Sequence, residues 1–217
     1  MNVTTTTRDI KELNPLVQVM LEVALKKIKK KNIVPLIVET YRPKERQYYL
    51  YGKGRFVSTC ANAGMPLRMA KKYANPKAAK CTWTLNSIHI KRCAVDLIPQ
   101  RGGKAIWNSN DPDTKQIISI MQSVGFEAGA NWKTSPDSPH FQVKGISGKA
   151  LTKKNTTKFL TKVIQTKLSK KGYYASYVID GEWGKATDNA VKKWRKDQGW
   201  SAKASIGTEA LRKLLNY

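Results

Sequence analysis

Histidine is almost absent from this 217-residue chain, which holds only His89 and His140. Acidic side chains are also scarce: 15 Asp and Glu stand against 40 Lys and Arg, a formal net charge of +25. Three cysteines, Cys60, Cys81 and Cys93, form no CxxC pair. Their odd number excludes a complete disulfide framework, and they read as reduced thiols. No apolar run approaches the ~20 residues that a membrane span requires, so stable membrane insertion is not expected. Residues 1–9 are polar and threonine-rich, without the apolar core of a secretory signal. Synthesis in a cytoplasm without a signal peptide is the expectation.

What remains is ordinary for a folded chain: 41% apolar and 25% charged residues, close to the averages of globular proteins. Domains usually run to about 100–150 residues, so two are expected here. The positive charge is spread along the chain. Before and after Gly148 there are 24 basic and 10 acidic, then 16 and 5 residues, leaving +14 and +11. Such a chain suits an anionic partner. Nucleic-acid binders concentrate charge on one face or arm and carry a reading module. None is recognisable here, so nucleic acid is not the expected partner. A phosphate-rich bacterial envelope polymer, or simply a solvated lysine surface that favours solubility, accounts for the charge.

Asn14 followed by Pro15 marks a helix start, and Leu16, Val17, Met20, Leu21, Ala24, Leu25 and Ile28 recur at helical spacing. A strand follows over 33–40, confined to an edge or entry position by Pro35. It is ended by Tyr41-Arg42-Pro43, which leaves Arg42 at its tip. The spacing predicts a short helix over 45–51, closed by Gly52 and Gly54, then an irregular surface excursion over 56–84. A strand over 94–98 carries one acid, Asp96, and is closed by Pro99. A helix over 111–124 is capped by Asp111, and a last strand covers 141–143. Helix, strand, excursion, strand, helix, strand is an α+β pattern. Residues 148–158 are small, polar and basic, as in a linker. Three short helices are predicted beyond it, over 161–168, 186–198 and 208–215.

Each histidine lies beside strand-like sequence with an acid at short range: Ser87-Ile-His89 leads to Asp96, and Trp132 to Asp137 leads to His140. Two imidazoles and one carboxylate supply the three protein ligands of a catalytic zinc site with an open fourth position. A second carboxylate is then needed to accept a proton, and Asp96 and Asp137 could divide those roles. A lone histidine next to Phe141 could equally be a core residue. Arg42 could simply pair with Glu39 or Glu45. Cys93 reads as a packing residue, because a fourth ligand would close the catalytic position.

The segment from Ser87 to Asp96 resembles the SxHxxGxAxD motif of the zinc peptidase family of D-alanyl-D-alanine carboxypeptidases and L-alanyl-D-glutamate endopeptidases. Asp137-Ser-Pro-His140-Phe141 resembles its closing DxPHF/W element. The stretch from Glu39 through Tyr41, Arg42, Glu45 and Gln47 to Tyr51, Gly54 and Arg55 resembles the TYRTxxEQxxLYxxGR segment of phage endolysins, so the likeness runs over 10–145. It implies His89, Asp96 and His140 as ligands of Zn2+, Asp137 as general base and Arg42 as the partner of the developing oxyanion. Ser87, Tyr41, Gln47 and Trp132 are the implied substrate contacts, Trp132 as a cleft wall or plain core. The family's glycine three residues after the first histidine is Arg92 here. Arg92 could narrow the cleft, meet an acidic substrate group or sit in a re-routed turn.

The last sixty residues resemble the small three-helix peptidoglycan-binding domain, through Asp180-Gly181-x-Trp183-Gly184-x-x-Thr187 and the flanking Ile164, Gln165, Leu168, Trp194 and Leu211. Asp180, Gly181, Trp183, Gly184 and Thr187 are its implied wall-binding core. The alternative is that they only build the turn between helices. Together the resemblances imply a zinc peptidase domain over 1–147 with a central antiparallel sheet and flanking helices, a linker over 148–158 and a three-helix wall-binding domain over 159–217. The implied function is a monomeric endolysin that cuts the L-alanyl-D-glutamate bond of the peptidoglycan stem. It would reach the wall from the host cytoplasm through a separate membrane pore. A D-Ala-D-Ala carboxypeptidase, a cross-bridge endopeptidase or a non-catalytic wall- or nucleic-acid-binding protein are the alternatives.

Overall fold

The computed structural model describes residues 2–215. In chain order its elements are α1 (Pro15–Lys29), β1 (Val34–Glu39), α2 (Lys44–Gly52), α3 (Val57–Asn62), α4 (Leu67–Tyr73), β2 (Ala94–Arg101), β3 (Lys104–Ala105), α5 (Pro112–Ser123), β4 (Glu127–Ala128), β5 (His140–Gln142), β6 (Ala150–Leu151), α6 (Lys158–Lys170), α7 (Lys185–Asp197), β7 (Ile206–Gly207) and α8 (Thr208–Leu214). The main sheet runs β1-β2-β5-β4 with β3 beside β2, and every pairing is antiparallel. This is the α+β class that the sequence implies. No helix among the described residues is long and apolar enough to cross a membrane.

Local chemistry sets the first elements as expected. Asn14 accepts a hydrogen bond from the Leu16 backbone N–H, satisfying one donor at the start of α1. Leu16, Val17, Met20, Leu21, Ala24 and Ile28 form the buried face of that helix. In β2 the alternation of side chains sends Val95 and Leu97 into the same core and leaves Asp96 on the opposite face.

Three expectations are corrected. Strand β2 does not stop at Pro99 but runs to Arg101, with Pro99 paired opposite Pro35. The Pro99 carbonyl accepts from Ile106 on the β3 side, so its nitrogen also faces away from β1: the β1 ladder loses no bond, and only the return bond to Ile106, just past β3, is missing. The 56–84 stretch is not irregular throughout. It contains α3 and α4, which close over Tyr51, Cys60, Met65 and Ala70 as a small separate core. Gly52 permits this closure: a Cβ there would stand 2.2 Å from the Tyr73 carbonyl oxygen.

The third correction concerns 148–158. This segment contains β6, which pairs with β7 near the C-terminus, and Leu151 is fully buried. Asn155 donates to the carbonyls of Ser147 and Ala150. The two halves then share one continuous core: Leu160, Ile164, Leu168, Leu211 and Leu214 pack into the same cluster as Leu16, Met20, Met121 and Phe126. Arg212 reaches across to Glu22 at 2.7 Å. Gly125, at φ +111°, ends the turn after α5 where a Cβ would lie 2.6 Å from Leu160 and 2.8 Å from Met20.

Candidate metal centre and cleft

Strand register places the acids and one histidine in a row. Glu39 of β1 lies opposite Asp96 of β2, and Asp96 lies opposite His140 of β5, so the three side chains share a face of the sheet. His89 enters from a 3-10 turn over Ile88–Lys91, which Ser87 begins by accepting from the His89 backbone N–H. The turn closes at Arg92, whose backbone is left-handed at φ 60°. The bulge between Ile37 and Glu39 re-aims the end of β1 toward this point.

His89 Nδ1 donates to the Thr40 carbonyl at 2.6 Å, which leaves its Nε2 with a lone pair. His140 Nε2 donates to Gln142 Oε1 at 3.3 Å, leaving Nδ1 unprotonated. These two nitrogens are 3.2 Å apart, and each is 3.1 Å from Asp96 Oδ1. Three electron-pair donors therefore converge with no hydrogen between them in the neutral tautomers, an arrangement that asks for a cation. A tetrahedral zinc with bonds of about 2.0–2.1 Å spaces its ligand atoms roughly 3.3 Å apart, close to this triangle. The Thr40 and Gln142 contacts are the outer hydrogen bonds that fix the orientation of ligating imidazoles. The residues present fit a zinc ion, and among the described residues this is the one cluster of at least three such side chains that could hold a metal.

The local charges are strongly coupled. Burial would raise the Asp96 carboxyl, but with the imidazoles of His89 and His140 in their protonated form their charges and hydrogen bonds outweigh it and hold Asp96 well below the usual carboxylate range. Burial likewise disfavours the His140 imidazolium, yet Asp96 and then Asp137 push its pKa up. Asp137 moves the other way from Asp96. Burial first and the Asp96 charge second raise its carboxyl, against the pull of His140, His89 and Arg42. Two neighbouring carboxylates thus have opposite proton affinities, the pattern that separates a ligand from a proton carrier.

His89, Asp96 and His140 line a cleft of about 810 Å³ together with Arg42, Ser87, Trp132 and Asp137. The Trp132 ring lies 5.2 Å from that of His140 and forms a wall. Arg42 donates from Nε and Nη2 to Glu39 at 2.9 and 2.5 Å and from Nη1 to Gln47 at 3.0 Å. Its Nη2 is also 3.6 Å from Asp96. The pairing with Glu39 and the place in the cleft hold together, because a guanidinium has five N–H groups and only three are spent here.

Several expected contacts lie elsewhere. Gln47 is fully buried and gives its amide protons to Thr84 and Thr82, so it fastens Arg42 to the cleft rim instead of meeting a substrate. Tyr41 is stacked beneath the Arg92 guanidinium, 3.9 Å from its centroid, and does not line the cleft. Arg92 pairs with Glu12 and donates to the Glu12 carbonyl, away from the cleft. The turn keeps the left-handed conformation that a glycine adopts readily. In the C-terminal half Thr187 and Trp183 are buried. Asp180 accepts from Gln165 and the Glu182 backbone, and Gln165 also binds Thr187. These contacts tie the residues into the turn before α7.

Thr40 and Gln142 build the site without a role implied by the motifs, and Glu39, expected only as a possible partner of Arg42, shares the sheet face of the centre. Gln142 stands two residues after His140 on one strand, so period-two spacing places it on the same face. The carbonyl of Thr40 leaves no trace in side-chain identity. The excursion contributes Lys80, Trp83 and Thr84 to the rim, with Arg55 donating to the Tyr51 and Thr82 carbonyls beneath it.

Residues 80–143 match the family model of D-alanyl-D-alanine carboxypeptidase, and residues 160–214 match that of a putative peptidoglycan binding domain. The chain therefore joins a peptidase-family segment to a peptidoglycan-binding-family segment, as the motifs imply. A curated relative, the L-alanyl-D-glutamate peptidase of Listeria phage A118, is 30% identical over 82 residues, 35% of this chain and 29% of that protein. The chain thus matches under a third of that relative's length. Among solved structures, an L-Ala D-Glu endopeptidase of Serratia marcescens aligns at 22% identity with a TM-score of 0.41, over 64% of this chain and 87% of that one.

Proposed function

We propose that the protein is a zinc-dependent endopeptidase that hydrolyses the L-alanyl-D-glutamate amide bond of the peptidoglycan stem peptide. The observation that carries this reading is the convergence of three electron-pair donors at the floor of a cleft that also holds Asp137 and Arg42. His89, Asp96 and His140 would hold the ion. Bound there, zinc supplies Lewis-acid polarisation of the scissile carbonyl and lowers the pKa of water. Asp137, its carboxyl raised, takes the proton of the attacking water and returns it to the leaving amine. Arg42 presents its remaining N–H groups to the carbonyl oxygen as negative charge grows. Glu39 and Gln47 hold that guanidinium in place.

The choice of bond is supported by the phage relative, an L-alanyl-D-glutamate peptidase. The description of the matching family favours a second reading, removal of a terminal D-alanine. The segment over 160–214 would hold the enzyme on its insoluble polymer, anionic envelope polymers being further partners, and lysis from within a host through a separate pore is the proposed setting. Purified cell walls treated with the protein should lose turbidity, stop doing so with a chelator, and recover with zinc. Mass analysis of released muropeptides then separates the bonds: new amino-terminal D-glutamate supports this reading, and free D-alanine alone supports the second. Unchanged lysis in chelator would defeat the zinc mechanism.

A further inference from the structure

Helix α6 has two working faces. Leu160, Thr161, Ile164, Gln165 and Leu168 are buried. Phe159, Lys162, Val163, Thr166, Lys167 and Lys170 recur at three- and four-residue spacing on another face, and they line a groove of about 450 Å³ against Ser119, Gln122 and Ser123 of α5. The groove lies where the peptidase-family half meets the peptidoglycan-binding half.

Its charge is unbalanced. No acid lines it, and Lys162, Lys167 and Lys170 form none of the ion pairs found among the described residues. Lys27 of α1 approaches from the side: burial, then the charges of Lys27 and Lys170, pull Lys167 down to about 8. Lysines in the last turn of a helix complement its dipole, which accounts for Lys167 and Lys170 individually. It accounts likewise for Lys27 in the last turn of α1, but not for Lys162 one turn earlier. Gathering like charges over an apolar floor of Phe159 and Val163 is unfavourable unless an anion joins them.

From this we infer that the α5–α6 groove is a binding site for the phosphate groups of a linear phosphodiester polymer attached to the cell wall. Lys162, Lys167 and Lys170 follow a helix face over about two turns, so they meet successive phosphates of a chain better than one compact ion. The Gln122 amide adds neutral donors. The choice of a wall polymer over nucleic acid rests on the proposed action at the wall. The site is separate from the catalytic cleft, since the two share no lining residue.

The test uses the full chain and needs no catalysis. Binding of soluble poly(glycerol phosphate) is measured by calorimetry across a salt series, for the wild type and for K162Q/K167Q/K170Q, with K162R/K167R/K170R as the charge-keeping control. The glutamine variant should bind at least about tenfold more weakly at low salt, and its log Kd against log salt should be shallower by about 2, as expected for three lost phosphate contacts at roughly 0.7 each. The arginine variant should match the wild type. An unchanged salt slope in a folded glutamine variant overturns the site. Inorganic phosphate bound as tightly as the polymer, or duplex DNA bound more tightly at equal phosphate concentration, overturns the ligand. Loss of muropeptide release would bear on the proposed activity without touching this result.

Discussion

Glu39 holds two arginines at once: Oε2 accepts from Arg42 and Oε1 from Arg46 at 2.7 Å, all three side chains being largely buried. This single carboxylate ties the end of β1 to the candidate cleft on one side and to the start of the chain on the other, since Arg46 also reaches the Val3 carbonyl.

Removing that carboxylate strands two guanidinium groups. Glu39→Ala should lower stability by about 3 kcal/mol or more, read by urea titration. With the fold retained at low temperature, kcat should fall by up to about 100-fold with little change in KM, because Arg42 would be misplaced for the transition state. Equal effects on kcat and KM would mean that Arg42 only binds the ground state.

In the proposed mechanism Asp137 acts as a base when ionised, and burial raises its pKa. The acid limb of kcat/KM should therefore lie above the ordinary carboxylate range, activity falling as pH drops through it. Asp137→Asn should lose roughly 10²- to 10⁴-fold in rate while keeping one zinc per chain by elemental analysis. The stability sign is opposite to that of a paired acid. The folded state binds this proton more tightly than the unfolded state, so ionisation costs stability as pH rises from the unfolded value through the folded one. In chelator at neutral pH the asparagine variant should melt no lower than the wild type.

Lys167 gives a second pH signature. Its folded pKa of about 8 lies below that of an unfolded lysine. Between the two values the unfolded chain holds the extra proton and stability rises with pH. Melting temperature followed from pH 8 to 10 should carry this rise, and Lys167→Met should flatten it while raising the melting point at pH 7. High salt should shrink the difference by screening Lys27 and Lys170.

Gly125 tests the junction. Its positive φ and the closeness of Leu160 and Met20 leave no room for a methyl group. Gly125→Ala should destabilise by about 1–3 kcal/mol, and calorimetry should show the whole molecule melting earlier as one transition. Two separate transitions, with only one displaced, would contradict a shared core.

Much of this architecture can be read from residue identity alone. Asn14-Pro15 and the apolar stripe behind it specify α1, because capping and burial act locally. The residue types of His89, Asp96 and His140, together with the family motifs that their segments resemble, carry the candidate centre, because side-chain chemistry is what a metal selects. Features decided by distant backbone are less legible. The carbonyl of Thr40 orients His89 without any signature of its own. Pro99 continues through β2 because its nitrogen faces away from β1, the long neighbour of the strand. Helices α3 and α4 are too short and polar to declare themselves, and they exist through Tyr51, Cys60, Met65 and Ala70. Gln47 shows the reverse error: a polar residue in a functional motif is fully buried and works on the arginine beside it.

The pairing of β6 with β7 has a mechanical meaning for the proposed enzyme. Flexible tethering lets a catalyst sweep a volume set by the length of its leash. Here the segment between the halves is stitched into the C-terminal half and buried at Leu151. The grip and the blade then share one frame, with a fixed reach from the point of attachment. Each cut lies at a set offset from the anchor, and progress along the wall comes from letting go and landing again.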